Sequence, residues 1–172
     1  MGANLGDPAA TLRRAWRDLD RRGEIERSSR LYRTDPVGGP SGQPPFRNAV
    51  VRWRPPRSVT TATELLAALH EIEERHGRTR RVRNEARTLD LDLIAWHDLV
   101  ADAPDAVVPH PRALERAFVL IPLLDVDPAW RDPRSGRSAR YALQRLRAET
   151  VHDLGVRVAS EPWPPADRRG PT

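Results

Sequence analysis

The sequence of 172 residues contains no cysteine, no lysine and only 5% aromatic residues. The absence of cysteine excludes a disulfide framework and any metal site built on thiolate ligands. The absence of lysine excludes a phosphate-binding loop ending in Gly-Lys-Ser/Thr. No apolar run approaches the roughly 18 residues of a membrane span, and the first residues do not form a secretion signal. These absences favour a cytoplasmic protein without membrane contacts.

Arginine supplies all of the positive side-chain charge, with 29 residues against 24 acidic ones and a formal net charge of +5. Together with 17 prolines, this indicates a general compositional bias, so the basic excess is a weak indicator of nucleic-acid binding. The length fits one domain with a single core. We expect that domain over residues 1–158, followed by a loose tail rich in proline and arginine over residues 159–172.

Capping signals and hydrophobic periodicity predict the main elements. Asp7 followed by Pro8 predicts the start of a helix that ends near Gly23. Thr61 and Glu64 form a capping box, which predicts a second helix that ends at Gly77. A final helix is expected after residue 138. Alternating or β-rich segments predict strands over residues 25–33, 46–54 and 88–96, with a long Pro- and Gly-rich loop over residues 35–45.

Two aspartates alternate with leucines in the third predicted strand, at Asp90 and Asp92. Residues two apart on a strand emerge on the same face, about 6 to 7 Å apart. Two such carboxylates can hold Mg²⁺, which usually takes one or two carboxylates and completes its shell with phosphate oxygens and water. This pattern points to a metal with a polyphosphate. The alternative is the solvated face of a sheet with salt bridges to nearby arginines.

Six arginines lie within thirteen residues just before this pair, between residues 75 and 87. Guanidinium groups bind phosphate oxygens in a bidentate manner and keep their charge at any working pH. A solvated loop in an arginine-biased chain is the alternative. The adjacency of the arginines and the acid pair favours a site for a charged ligand.

Other positions carry weaker signals. His110 lies between two prolines and either contacts a ligand or faces solvent. Phe46 and Phe118, the only phenylalanines, are core residues by default. The loop over residues 35–45 is either a plain connection or a functional segment, because long loops in small domains are often functional.

Five segments in chain order carry a further signal. They are residues 32–34 (Tyr-Arg-Thr), 43–49 (Gln-Pro-Pro-Phe-Arg-Asn-Ala), 72–78 (Ile-Glu and Gly-Arg at its ends), 87–92 (Arg-Thr-Leu-Asp-Leu-Asp) and 109–120 (Pro-His-Pro-Arg, then Arg-Ala-Phe-Val-Leu). In order and spacing, from residue 2 to about residue 130, the sequence resembles the 6-hydroxymethyl-7,8-dihydropterin pyrophosphokinases of folate biosynthesis.

The resemblance implies a fold and an activity. The fold is α+β, a ferredoxin-like antiparallel sheet with helices packed on it. The activity is transfer of the terminal diphosphate of ATP to the hydroxymethyl group of the pterin, with release of AMP and with two Mg²⁺ ions. The expected substrates are these two small molecules; we expect a monomer and no nucleic-acid partner.

The resemblance also implies roles for individual residues, carried over by position. The metal ligands are Asp90 and Asp92, and the catalytic residues that grip the transferring groups are Arg78 and Arg87. The residues around ATP are Glu73, Arg80, Leu93, His110 and Arg116. The pterin pocket comprises Thr34, Val37, Phe46, Asn48 and Phe118, with the two phenylalanines on either side of the flat ring. The loops over residues 35–45 and 78–86 resemble mobile active-site loops that close over the reaction.

The beginning of the chain departs from the family pattern. In the family an apolar strand leads into a Gly-Ser-Asn-Leu-Gly segment, whereas here Gly-Ala-Asn-Leu-Gly follows Met1 directly. We therefore expect an N-terminally truncated pyrophosphokinase-like domain whose first strand is missing.

Three alternatives to this enzyme remain open at the sequence level. The first is a catalytically silent, truncated paralogue, and the second a ferredoxin-like module that binds nucleic acid. The third is a nucleotidyltransferase, which would leave AMP on its product.

Overall fold

A computed structural model describes residues 1–38, 40–78, 86–149 and 154–164, and these residues form an α+β fold. The elements, in chain order, are β1 (Gly2–Ala3), α1 (Pro8–Arg22), β2 (Glu24–Ser28), β3 (Tyr32–Thr34), β4 (Phe46–Asn48), β5 (Val51–Arg54), α2 (Ala62–Arg75), β6 (Ala101–Ala103), β7 (Ala106–Val108), a 3₁₀ turn (Ala113–Glu115), α3 (Ala117–Val126), α4 (Ala139–Glu149) and β8 (Val156–Val158).

The strands are antiparallel, as expected from the sequence. Four of them form one sheet in the order β1-β4-β3-β8, while β2 pairs with β5 and β6 pairs with β7. On its free side, β1 makes a further antiparallel bridge from Gly2 to Asp90. None of the described helices has the length and apolar character needed to cross a membrane.

The predicted helix starts are confirmed. The side chain of Asp7 accepts a hydrogen bond from the Ala10 N–H at 2.9 Å, which caps α1. At α2, the Glu64 N–H donates to Thr61 Oγ1 at 3.2 Å, and the Thr61 N–H donates back to the Glu64 carboxylate at 3.0 Å. These bonds satisfy N–H groups that have no partner within a helix.

The helices cover both faces of the strands. Ala49 and Val51 pack in a core cluster with α1 and α2, whereas Val50 packs in a second cluster with α3 and α4. This alternation follows from the opposite directions of successive side chains on an extended chain. The first cluster is the larger and includes Leu12, Leu19, Leu69, Ile72, Leu89 and Leu91.

Two of the predicted strands are each divided into two. Residues 25–33 form β2 and β3, and residues 46–54 form β4 and β5. The division lies at Ser29, whose hydroxyl accepts the Val50 N–H at 3.0 Å while its own N–H donates to Val50 O at 2.9 Å. A side-chain hydroxyl thus replaces a backbone partner, and the two halves pair with different strands.

The predicted strand over residues 88–96 is wrong in its extent, because only Asp90 makes a bridge. The next N–H, that of Leu91, donates to the Glu73 carboxylate at 2.6 Å instead of to a strand. Further along, Ile94 O accepts the His110 N–H at 2.8 Å. The expected alternation nevertheless holds, since Leu89 and Leu91 are buried and Asp92 is exposed.

The two ends of the described chain differ from expectation. Gly2 and Ala3 form a two-residue strand paired with β4, so a missing first strand is not confirmed. Residues 159–164, expected to be loose, are held on the fold: Trp163 Nε1 donates to Ser29 O at 2.9 Å, and Arg47 Nε donates to Glu161 at 2.6 Å. Residues 165–172 lie outside the described part.

Candidate active site

One row of paired residues crosses the sheet and defines the site. Asn48 on β4 lies opposite Gly2 on β1, and Gly2 lies opposite Asp90. Directly paired residues of antiparallel strands project to the same face, and the backbones of Asn48 and Asp90 are therefore about 10 Å apart, two strand spacings. A Cβ atom at Gly2 would lie 2.6 Å from Asn48 Oδ1. Glycine thus leaves a gap between an amide and a carboxylate.

Three of the residues expected around the pterin lie together beside this gap. Asn48 Nδ2 donates to Thr34 Oγ1 at 2.6 Å, and Thr34 is buried. Phe46 is paired with Thr34 across β3 and β4, so its side chain projects to the same face. The face therefore offers a flat apolar group next to an oriented amide.

On the other side of the gap, two arginines hold one carboxylate. Asp90 Oδ1 lies 2.7 Å from Arg78 Nη1, and Asp90 Oδ2 lies 2.5 Å from Arg87 Nη1. The backbone of Asp90 is fixed by reciprocal hydrogen bonds with Gly2, at 2.8 and 2.7 Å. The expected catalytic arginines and one expected metal ligand are thus in direct contact.

Behind this group lies Glu73, at the last turn of α2. Its side chain is almost fully buried, accepts the Leu91 N–H at 2.6 Å and forms an ion pair with Arg78. Burial raises the pKa of the Glu73 carboxyl above its ordinary value, while the Leu91 N–H and the Arg78 charge act in the opposite direction. Glu73 therefore joins α2 to the backbone between the two aspartates.

The second aspartate belongs to a neighbouring group. Arg116 Nη1 lies 3.8 Å from Asp92 Oδ2 and 3.4 Å from His110 Nε2, and its guanidinium carbon lies 5.6 Å from the centre of the Phe118 ring. His110 Nδ1 accepts the Arg112 N–H at 3.0 Å. Burial lowers the pKa of the His110 imidazole below its ordinary value, while the charge of Asp92 acts in the opposite direction.

Other expected residues are not brought into these groups. Arg80 lies outside the described residues. Val37, in the loop over residues 35–45, is 68% exposed. Leu93 packs in the core and lines a cavity of about 690 Å³ together with Asp92, but Phe46 and Phe118 do not line that cavity. Within the described part of the chain, the two phenylalanine rings make no direct contact.

Asn4, which was not among the expected site residues, joins two parts of the site. Asn4 is 3% exposed. Its Oδ1 accepts the Arg87 N–H at 2.6 Å, and its Nδ2 donates to Pro44 O at 3.1 Å. Asn4 thereby connects Arg87, one of the two arginines expected to be catalytic, to the loop over residues 35–45. The signal in the sequence is weak: an amide residue between a strand and a helix cap, which needs partners only if it is buried.

The donor set of the two aspartates fits a hard cation. Both supply carboxylate oxygens, the ligands that Mg²⁺ prefers. Among the described residues, no group of three or more His, Asp or Glu side chains could hold a metal. A cation at Asp90 and Asp92 would therefore take most of its ligands from a phosphorylated substrate and from water, as Mg²⁺ usually does.

Taken together, the face carries two carboxylates, three arginines in contact with them and an amide beside a phenylalanine. Guanidinium groups and carboxylate-bound cations neutralise phosphate charge from two sides. The fold and the site thus indicate a class, the α+β proteins whose site suits a polyphosphate together with a flat organic molecule.

Comparison with known proteins identifies the family. The family model described as 7,8-dihydro-6-hydroxymethylpterin-pyrophosphokinase matches residues 1–128. The chain is similar to proteins named 2-amino-4-hydroxy-6-hydroxymethyldihydropteridine pyrophosphokinase from Synechocystis sp. and Pseudomonas aeruginosa. The first is 36% identical over 153 residues, covering 88% of this chain and 76% of the relative. The second is 38% identical over 156 residues, covering 90% and 93%.

The relative of the same name from Bacillus subtilis is 37% identical over 128 residues, covering 73% of this chain and 74% of the relative. The chain therefore belongs to the 7,8-dihydro-6-hydroxymethylpterin pyrophosphokinase family. The resemblance stated from the sequence is confirmed.

Proposed function

We propose that the protein transfers the terminal diphosphate of ATP to the hydroxymethyl group of 6-hydroxymethyl-7,8-dihydropterin in folate synthesis, releasing AMP. Membership of the family supports this activity. The observation that carries it is the row from Asn48 through Gly2 to Asp90. That row puts the Asn48 amide on one face with the Asp90 carboxylate and its two arginines, and Gly2 leaves a gap between them.

The pterin lies, in this proposal, over the β3–β4 side of the face. Asn48 reads the polar edge of the ring, and its amide is oriented by the bond to Thr34. Phe46 packs on one side of the flat ring, where apolar contact is favourable. Phe118 and Val37 complete the pocket by analogy with the family.

ATP lies on the Asp90 side. Arg78 and Arg87 bind the transferring phosphates, which compete with Asp90 for the same guanidinium groups. Arg116 adds positive charge beside Asp92 and His110, and His110 is assigned to ATP by position in the family. Arg80 and Leu93 are assigned to ATP by position in the family alone, and we assign Glu73 a different role below.

Asp90 and Asp92 would hold Mg²⁺, two ions in the family pattern. Bound there, the metal would neutralise negative charge on the triphosphate and help to orient it. The protein's own contribution is electrostatic and positional, so no residue is assigned as a nucleophile.

In the transfer itself, the pterin hydroxyl oxygen forms a bond to the β-phosphorus of ATP. The bond from that phosphorus to the bridging oxygen of AMP breaks, and the hydroxyl proton is released. Charge develops on the leaving oxygen, and the fixed arginines stabilise it. Holding the hydroxyl in line with the breaking bond supplies the remaining catalysis.

We further propose a ferredoxin-like arrangement, a monomer and a cytoplasmic location. The antiparallel order of the four-stranded sheet, with α1 and α2 packed together on the first core cluster, supports the first.

The test is an assay of both products. The protein is incubated with ATP, Mg²⁺ and 6-hydroxymethyl-7,8-dihydropterin. The nucleotides are then separated by chromatography, and the molecular mass of the pterin product is measured by mass spectrometry. We expect one AMP for each pterin diphosphate. The matched control is 6-methyl-7,8-dihydropterin, which lacks the hydroxyl and should give no AMP. Formation of ADP, or of a pterin carrying AMP, would contradict the proposal.

A further inference from the structure

Glu73 is a buried carboxylate at the centre of the candidate site, and the geometry points to a role other than contact with ATP. We propose that Glu73 is a positioning residue, which fixes Arg78 and the backbone between Asp90 and Asp92 in the arrangement that diphosphate transfer requires. The inference rests on the proposed function for its consequence, although the contacts themselves do not depend on it.

The first contact is with Arg78, which Glu73 holds in two ways. The Arg78 N–H donates to the backbone oxygen of Glu73 at 3.1 Å, and the Arg78 guanidinium pairs with the Glu73 side chain. The same Arg78 Nη1 reaches Asp90 Oδ1 at 2.7 Å. Since the Arg78 side chain is only 12% exposed, its direction is set by these two carboxylates.

The second contact is with the segment that carries the aspartates. The Leu91 N–H donates to Glu73 Oε1 at 2.6 Å. On the other side, Gly2 holds the backbone N–H and C=O of Asp90. The peptide between Asp90 and Leu91 is therefore fixed by a strand on one side and by a helix side chain on the other. Because Asp92 follows directly, a rotation of this peptide would displace both aspartates.

The helix gives Glu73 a rigid base. Ile72, the preceding residue of α2, is fully buried in the larger core cluster, and the Glu73 side chain is itself 1–2% exposed. A carboxylate in this position cannot approach a triphosphate without leaving its partners, and its charge would repel the phosphates. Its chemistry fits an anchor for a cation and an N–H group.

The first experiment separates binding from turnover. Glu73→Gln keeps the size and an oxygen acceptor for the Leu91 N–H but removes the charge that holds Arg78. We expect kcat for AMP formation to fall by about tenfold to a hundredfold, and KM for ATP to change by a clearly smaller factor, because Arg78 is held for the charge that develops during transfer. The matched control, Glu74→Gln, changes an exposed residue next to Glu73 and should leave both constants unchanged. A rise in KM for ATP with kcat unchanged would mean direct contact with ATP and would overturn the inference.

The second experiment asks whether Glu73 acts through Arg78. In a background of Arg78→Ala, the Glu73→Gln change should reduce kcat by no more than about twofold, because the partner has already been removed. If the two losses multiply, Glu73 does not act through Arg78 and the inference fails. A purely structural role would give such independent losses and would lower the melting temperature in parallel.

Two further measurements keep the inference testable. The first applies if Glu73→Gln does not fold, and the second applies if the unchanged protein has no activity. Glu73→Asp keeps the buried charge on a shorter side chain; we expect a folded protein with a lower kcat and an unchanged KM for ATP, and the reverse pattern would refute the inference. If the unchanged protein makes no AMP, the proposed function fails. Hydrogen exchange then tests separately whether Glu73 anchors the Leu91 amide. The Leu91 amide should exchange slowly, and faster in Glu73→Ala; equal rates would overturn the anchoring role.

Discussion

Replacing Asn4 with alanine tests how the site is held together. The change removes the acceptor of the Arg87 N–H at 2.6 Å and the donor to Pro44 O at 3.1 Å. A buried polar group left without a partner costs about 1–3 kcal/mol. Pro44 is exposed and its carbonyl can be hydrated, whereas Arg87 is partly buried. The loss of the acceptor for the Arg87 N–H therefore accounts for most of the cost. We expect the free energy of unfolding to fall by about 2 kcal/mol.

The assay is urea denaturation followed by circular dichroism, together with steady-state kinetics. Asn4→Asp retains an acceptor for the Arg87 N–H, loses the donor to Pro44 and adds a carboxylate at a buried position. We therefore expect it to lose stability as well. In Asn4→Ala, kcat should also fall, since the backbone of Arg87 is released. A loss below about 0.5 kcal/mol, which is typical of surface substitutions, would refute the reasoning.

Two other predictions concern Gly2, which lies beside Asn48 in the candidate site, and Tyr32, which bonds Asp125. In Gly2→Ala the new Cβ would meet Asn48 Oδ1 at 2.6 Å and force the Asn48 amide away from Thr34. We expect KM for the pterin to rise by about tenfold, the value of one hydrogen bond, with KM for ATP unchanged; an unaltered KM for the pterin would contradict this. The Tyr32 hydroxyl donates to Asp125 at 2.7 Å, and burial raises the pKa of Tyr32 from 10.0 to about 12. A pKa raised by folding contributes stability that is complete below pH 10 and is lost as the pH rises to about 12, so unfolding free energy should fall more steeply over this range than in Tyr32→Phe. Equal slopes would exclude that contribution.

The parts of the fold that depend on neighbouring residues could be predicted from the sequence. The cap at Asp7 and the capping box at Thr61 act within one helical turn, and both are confirmed. The alternation that buries Leu89 and Leu91 while leaving Asp92 exposed is also local. The extent of the strands was not predictable in the same way. The break at Ser29 depends on a hydroxyl that bonds a residue 21 positions away.

The candidate site shows the same contrast between local features, which were predictable, and long-range contacts, which were not. The chemistry of the Asp-x-Asp pattern and its nearby arginines was visible in the sequence, and so was the resemblance to the family. Six arginines crowd the preceding segment, and only the resemblance to the family singled out Arg78 and Arg87. Their contact with Asp90 was not predicted. Leu91, which donates to Glu73, lies 18 residues away in the chain, and Arg87, which donates to Asn4, lies 83 residues away. Such contacts are set by packing, and no local pattern encodes them.

The most direct test of the account measures nucleotide binding at the acid pair. Titration calorimetry with α,β-methylene-ATP, which cannot transfer its diphosphate, gives the dissociation constant with Mg²⁺ and with a chelator in its place. We predict that Mg²⁺ strengthens binding by about tenfold or more in the unchanged protein, and equally in the control Asp105→Asn, which alters an exposed turn between β6 and β7. In Asp92→Asn the gain from Mg²⁺ should be lost. If Asp92→Asn retains the full gain, the aspartates do not hold the metal–nucleotide complex and the central claim is wrong.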